Sequence, residues 1–159
     1  MSRWQNWPGR NVCFPDQLYF IRSQEDAQAV VRQTTSGRLK IRAAGAGHSH
    51  SPIVLSDDFI VDCSGLSGVL DVDSRSQRAW IRAGSPIYAL GAQLHQHGLA
   101  LKNQGDIDRQ FLAGAISTGT HGTGRDLQSM SASVTGLRLI LAGGESVLCD
   151  AMNEPELFQ

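Results

Sequence analysis

Apolar residues fall in short runs, and a period of two alternates with a helical period. Leu18, Tyr19 and Phe20 form the first run and predict a short strand. Ser23 opens an amphipathic stretch with Ala27, Val30 and Val31 on its apolar stripe, and Asp26 completes a capping box with Ser23. That helix ends near Ser36 and Gly37. Leu39, Ile41 and Ala43 then alternate with Lys40, Arg42 and Ala44, which predicts a strand with the first three facing inward. Strand, helix and strand with short joints read as a βαβ unit with its two strands paired in parallel.

Phe59, Ile60 and Val61 predict another short strand, closed by Asp62. Residues 69–72 and 78–83 alternate around the loop D-S-R-S-Q and predict a hairpin. Ser85 reads as an N-cap with Pro86 at the first helical position, and Ile87, Leu90 and Leu94 face one side until Gly98 stops the helix. His95 and His97 lie two apart on it, point different ways and read as exposed. Residues 111–117 predict a short helix. Residues 134–141 and 146–149 predict strands joined by a turn at Gly143 and Gly144. The expected fold is therefore α+β. Residues 1–15 are an irregular lead-in around Asn6, Trp7, Pro8, Gly9, Asn11 and Pro15, and residues 16–159 are the domain.

Composition narrows the partners. The 159 residues are 41% hydrophobic and 18% charged, with a net charge of −1 and no basic cluster, which argues against nucleic acid as a partner. Cys13, Cys63 and Cys149 are odd in number and far apart, so they read as reduced thiols in a cytoplasmic setting. No apolar run approaches the ~18 residues of a membrane span, and the N-terminus lacks a signal-peptide pattern. The chain ends on E-P-E-L-F-Q, where a helix is opening, and so reads as part of a longer protein.

Seventeen glycines are many, and two clusters carry chemistry. Gly45 and Gly47 break the strand and are followed at once by His48 and His50. Glycine permits a sharp turn, and successive backbone N–H groups there form an anion-binding concavity. An ordinary turn, a phosphate loop and a zinc site all start from such residues. The dinucleotide fingerprint fails at His50, the P-loop lacks its lysine, and a zinc site lacks a cysteine pair. The second cluster, residues 117–124, interleaves Ser117, Thr118 and Thr120 with glycines and His121. If the clusters converge, amides and hydroxyls frame a long phosphate-bearing ligand without lysine or arginine.

Three strings, G-A-G-H-S-H-S-P (45–52), G-L-A-L-K-N-Q-G-D (98–106) and L-A-G-A-I-S-T-G-T-H-G-T-G (112–124), resemble the FAD-binding domain of the aldonolactone oxidases. These are sugar-lactone and alditol oxidases of the vanillyl-alcohol oxidase superfamily. The N-W of the lead-in and the terminal P-E-L-F fit as well. The resemblance runs along nearly the whole chain in one register, and its third string is the most specific.

The resemblance implies a PCMH-type FAD-binding domain, incomplete at its C-terminus. A small α/β subdomain would lie beside a larger, mainly antiparallel one, with FAD between them. It implies that Ala43, Ala44, Gly45, Ala46 and Gly47 wrap the pyrophosphate beside Ser49, and that His48 bonds covalently to the ring methyl of the flavin. Some relatives carry leucine there and hold FAD without a bond. Attachment needs a neutral imidazole nitrogen as nucleophile. Asp106, Gly114, Thr118, Gly119, Thr120 and His121 match positions that touch the flavin or its phosphates. Gly105 matches a small residue beside the ring, where glycine leaves room for O2 and so favours an oxidase over a dehydrogenase. Phe111 stands where relatives often carry Ser or Thr, and Asp106 replaces a commoner Ser. The substrate would be a small molecule, a sugar lactone or polyol. The family's catalytic residues lie in a cap domain in the missing C-terminal part, so no catalytic residue is assigned to this chain.

Overall fold

The computed structural model describes residues 2–158. Its order is β1 (Trp4–Gln5), β2 (Val12–Cys13), β3 (Gln17–Phe20), α1 (Gln24–Ser36), β4 (Ile41–Ala44), β5 (Phe59–Asp62), β6 (Val69–Asp73), β7 (Arg78–Ile81), α2 (Ile87–His95), α3 (Leu112–Ser117), a 3₁₀ turn at Met130–Ser133, β8 (Gly136–Ile140), β9 (Ser146–Asp150) and α4 (Pro155–Phe158). This is the expected α+β arrangement, a small three-stranded α/β unit followed by antiparallel pairs and short helices. Among the described residues, no helix is long and apolar enough to cross a membrane.

Local chemistry accounts for most boundaries. At α1 the Ser23 hydroxyl accepts from the Asp26 amide, and the Asp26 carboxylate accepts from the Ser23 amide, so both halves of the capping box form. The buried face is Ala27, Val30 and Thr34, while Val31 is only half-buried. Thr34 satisfies its hydroxyl by donating back to the Val30 and Val31 carbonyls. After α2, Gly98 takes φ +70°, Leu99 N–H bonds to Leu94 O, and Gly98 N–H bonds to His95 O. That is a Schellman ending, with Leu94 and Leu99 sharing the same apolar cluster. His95 and His97 are exposed.

Three expectations change. β3 and β4 do not pair with each other. β5 lies between them, parallel to both, in the order β3-β5-β4. Its Phe59, Ile60 and Val61 are all buried, and an all-apolar strand belongs at the centre, where both faces are covered. In β4, Ala43 is exposed and Ala44 is buried, because the sheet packs on both sides. Ile41 joins Val30 and Val61 under α1, whereas Ala44 joins Ile60 and Cys13 on the opposite face. Leu39 precedes the strand and is exposed. Ser85 does not cap α2, which starts from Pro86. Its hydroxyl instead accepts from Gly68 N–H at 2.9 Å and donates to Arg82 O at 2.7 Å.

The lead-in is ordered. β1 and β2 pair, and Cys13 and Trp4 pack against Ala44 and Ile60. The second half has its own core of Ile87, Leu90, Leu94, Ala115 and Met130. The halves meet at Gly84. Its amide bonds to Leu66 O at 2.8 Å, and a Cβ there would stand 1.8 Å from Cys63 O. No side chain fits without moving backbone. Next to it, Ile87 N–H bonds to Gln110 O, Leu112 N–H to Ser85 O and Ala113 N–H to Ala83 O, which pins the start of α3 alongside.

Two alanine substitutions separate these packing effects. Gly84→Ala is expected to lose more than ~3 kcal/mol of stability, since the clash is with backbone. Gly91→Ala, on the exposed side of α2 with nothing within 4 Å of the added Cβ, should gain about 0.5–1 kcal/mol. Denaturant melts of the two variants check both signs.

Candidate functional site

β4 ends at Ala44, and its continuation forms one wall of a cleft of about 330 Å³. Ala43, Ala44, Gly45, Ala46, Gly47, His48 and Ser49 line it. The opposite wall is Gln110, Phe111, Ala113, Gly114, Ser117 and Thr118, at the start and end of α3. The two glycine-rich clusters therefore meet. A Cβ on Gly45 would come within 3.5 Å of the Phe111 ring. Cys63 and Ala83, which flank the Gly84 contact, also line the cleft.

The lead-in shapes the first wall. Trp7 N–H donates to Gly47 O at 2.8 Å, Asn6 Nδ2 to Ser49 O at 3.0 Å, and Asn11 Nδ2 to His50 O at 3.0 Å. The Trp7 indole stacks on the His48 imidazole, with centroids 5.3 Å apart and planes 16° from parallel. Gly47 has φ +69°, which favours glycine, and a Cβ there would press on Asn6 Cα at 3.4 Å. A trans peptide points its N–H opposite its C=O. Because the 47 and 49 carbonyls face the lead-in, the amides of His48 and His50 point away from it. Among the described residues, the amides of Ala46, Gly47, His48 and Ser49 donate to no backbone carbonyl.

The rest of the second cluster forms a separate group. A Cβ on Gly105 would stand 2.9 Å from the Thr120 methyl and 3.7 Å from His121 O. The space beside Gly105 is therefore filled by Thr120 and is not open. Thr120 Oγ1 accepts from Gln110 Nε2 at 3.0 Å, and Gln110 lines the cleft, so this group touches the site through one side chain. His121 Nδ1 lies 2.9 Å from Gly122 O, and a carbonyl can only accept, so that nitrogen carries a proton. Asp106, Gly119 and His121 are exposed and lie outside the cleft lining. The Thr118 hydroxyl donates to Gly114 O at 2.8 Å, as a hydroxyl at a helix end tends to do, and that proton is not free for a ligand.

The lining suits an anionic, flat-ended ligand. No described lining residue is acidic, and Arg42 adds a cation. A Cβ at Gly114 would meet nothing within 4 Å, so glycine leaves room there for a group to approach the backbone. Free amides, small side chains and one cation together fit the pyrophosphate-bearing cofactor that the resemblance implies. Arg42, Gln110, Cys63 and Trp7 were not legible as site residues. Each arrives through the packing of another element, and only the alternation of Arg42 along β4 hinted at its side of the strand. Burial, and then the Asp62 carboxylate, push the Cys63 thiol from 9.0 to about 11, so it enters the cleft lining as a neutral group.

The FAD binding domain family matches residues 15–150. The chain is 42% identical over 142 residues to L-gulono-1,4-lactone dehydrogenase of Mycobacterium tuberculosis, covering 89% of this chain and 33% of that protein. It is 31% identical over 157 residues to L-gulonolactone oxidase of Bos taurus, covering 99% and 36%. Among solved structures, 6-hydroxy-D-nicotine oxidase of Arthrobacter nicotinovorans superposes with a TM-score of 0.85 at 24% identity, over 97% of this chain and 34% of that one, a likeness of fold. The chain spans about a third of the length of the curated relatives it matches.

The Cys63 shift has a stability consequence. The folded thiol holds its proton more tightly than the unfolded one. Its contribution is present below pH 9.0 and is lost as pH rises through about 11. A loss of about 2–3 kcal/mol across that window is expected in the wild type, and Cys63→Ala should remove it. Denaturant midpoints measured against pH for both proteins check this.

Proposed function

Since the chain belongs to the FAD binding domain family, we propose that it holds the FAD of a flavoprotein that oxidises a CH–OH group of a sugar lactone or polyol, with O2 as the final acceptor. The observation that supports this most is the meeting of residues 43–49 with Gly114 and Thr118 around one cleft free of acidic side chains. When bound, FAD supplies the two-electron acceptor.

This chain's residues hold and orient. In the proposal the amides of residues 45–49 satisfy the pyrophosphate oxygens, with Ala43 and Ala44 leaving the approach clear. His48 is the attachment point for a covalent bond. Its ring has no hydrogen-bond partner among the described residues, so a neutral nitrogen keeps its lone pair free. Gly114, Thr118 and Gly119 border the cofactor through backbone, and Gly105, Asp106, Thr120 and His121 form its second flank through Gln110. Three unpaired thiols suit a reducing compartment, and a cytoplasmic setting belongs to the proposal.

A specific observation favours a second reading, a dehydrogenase using another acceptor. The Thr120 methyl occupies the space beside Gly105 that the oxidase reading leaves for O2. The relative from Mycobacterium tuberculosis carries that activity in its name.

Mass spectrometry of the peptide spanning His48 is expected to show flavin attached, and yellow colour should survive acid precipitation. His48→Ala should lose that colour from the precipitate. A wild-type precipitate without flavin removes the tether from the proposal. Peroxide formation on lactones by the whole enzyme separates oxidase from dehydrogenase, which would reduce a dye and leave oxygen untouched.

A further inference from the structure

Trp7 is 69% exposed, yet its indole lies flat on His48. An exposed tryptophan gains little from core burial, which leaves the stack as a contact that needs another reason. The neighbouring lead-in residues hold the same stretch. Gly47 O is bound by Trp7 N–H, Ser49 O by Asn6 Nδ2 and His50 O by Asn11 Nδ2. Four consecutive loop residues, 47–50, are therefore each held from one side by the lead-in. Asn6 is itself buried at 1% exposure and is fixed by Asn11, whose amide donates to Asn6 Oδ1 at 3.0 Å. The holder is thus tied together by its own hydrogen bonds, independently of the loop.

We propose that the lead-in hairpin is a clamp that presents the His48 imidazole to the cleft, with Trp7 as the positioning residue for covalent attachment of the flavin. The proposal rests on His48 as the attachment point. In net terms, a C–H of the flavin's ring methyl and the imidazole N–H give way to one C–N bond. The two protons and two electrons released pass to dioxygen as hydrogen peroxide. The nucleophilic nitrogen must meet that carbon along one direction, and a free imidazole turns about two side-chain bonds. The indole blocks one face of the ring and restricts it to orientations parallel to the stack, which lowers the ordering cost of reaction. Stacking of aromatic rings is worth ~0.5–1.5 kcal/mol beyond area burial, enough to favour one orientation without freezing the loop.

The test uses flavin-free whole chain reconstituted with FAD. In Trp7→Ala the rate at which flavin becomes resistant to acid precipitation should fall on the order of tenfold or more, while total bound flavin changes by less than about twofold. Trp7→Phe keeps a stacking ring and should recover the rate to within about threefold. Before flavin is added, the His48 ring protons should be shifted upfield by ring current in the wild type and in Trp7→Phe, and relax in Trp7→Ala. Attachment in Trp7→Ala at the wild-type rate overturns the clamp and leaves the tether standing. Equal loss of attachment and of total flavin binding, unrescued by phenylalanine, also overturns it, since that is a structural effect. A wild type that attaches no flavin at His48 while binding FAD overturns the tether reading and the clamp with it.

Discussion

Among the described glycines, Gly84 is the one where an added Cβ would press hardest on backbone, at 1.8 Å from Cys63 O, and the site depends on that glycine. A side chain at 84 would need the space of a backbone oxygen. Glycine lets the strand-rich half dock directly on the C-terminal end of β5, with Gly84 N–H bonded to Leu66 O. Residues 83–88 then pair with 108–113, and that pairing carries Phe111 and Gly114 to the mouth of β4. The contact is costly in conformational entropy, because glycine has more freedom to lose on folding. It is offset by the two apolar clusters on either side, Val30 and Val61 in one half and Leu90 and Leu94 in the other.

The cleft shows how an anion can be received in a chain of net charge −1. Backbone amides carry partial charges that no count of lysines and arginines registers. Their direction is fixed when the carbonyls of the same peptides are held elsewhere. Here the lead-in takes the carbonyls of Gly47, Ser49 and His50, which turns the opposite peptide edges outward from it. The ends of β3, β4 and β5 lie at one edge of a parallel sheet, where open α/β sheets place their ligands. A segment that looked like an irregular preface is thus part of the loop's support. Cys63, in the lining of the same cleft, stays uncharged because burial and Asp62 both disfavour the thiolate.

What could be read in advance follows how far each signal reaches. The capping box of Ser23 and Asp26 spans three residues, and both of its bonds form. The glycine ending after α2 and the hairpins at β6–β7 and β8–β9 are equally local, and they formed close to where they were expected. The α+β class, the family resemblance and the expectation that residues 43–49, which line the cleft, form a binding loop came from such short motifs. The register of Ala43 and Ala44, the place of β5 between β3 and β4, and the role of Ser85 did not. Each depends on what lies across the sheet or in a distant loop, and periodicity cannot say which of two faces is the more deeply covered.

The amino-acid sequence alone determined the turns, the caps, the short strands and the two glycine clusters with their histidines, because those arise from the conformational limits of adjacent residues. Tertiary packing alone decided that the clusters share a cleft, that Trp7 lies on His48, that Thr120 fills the space beside Gly105, and that Arg42 and Gln110 belong to the lining. Those contacts join residues many positions apart. Their free energy comes from burial and hydrogen bonds that exist only after the halves have docked, so no window of sequence contains them.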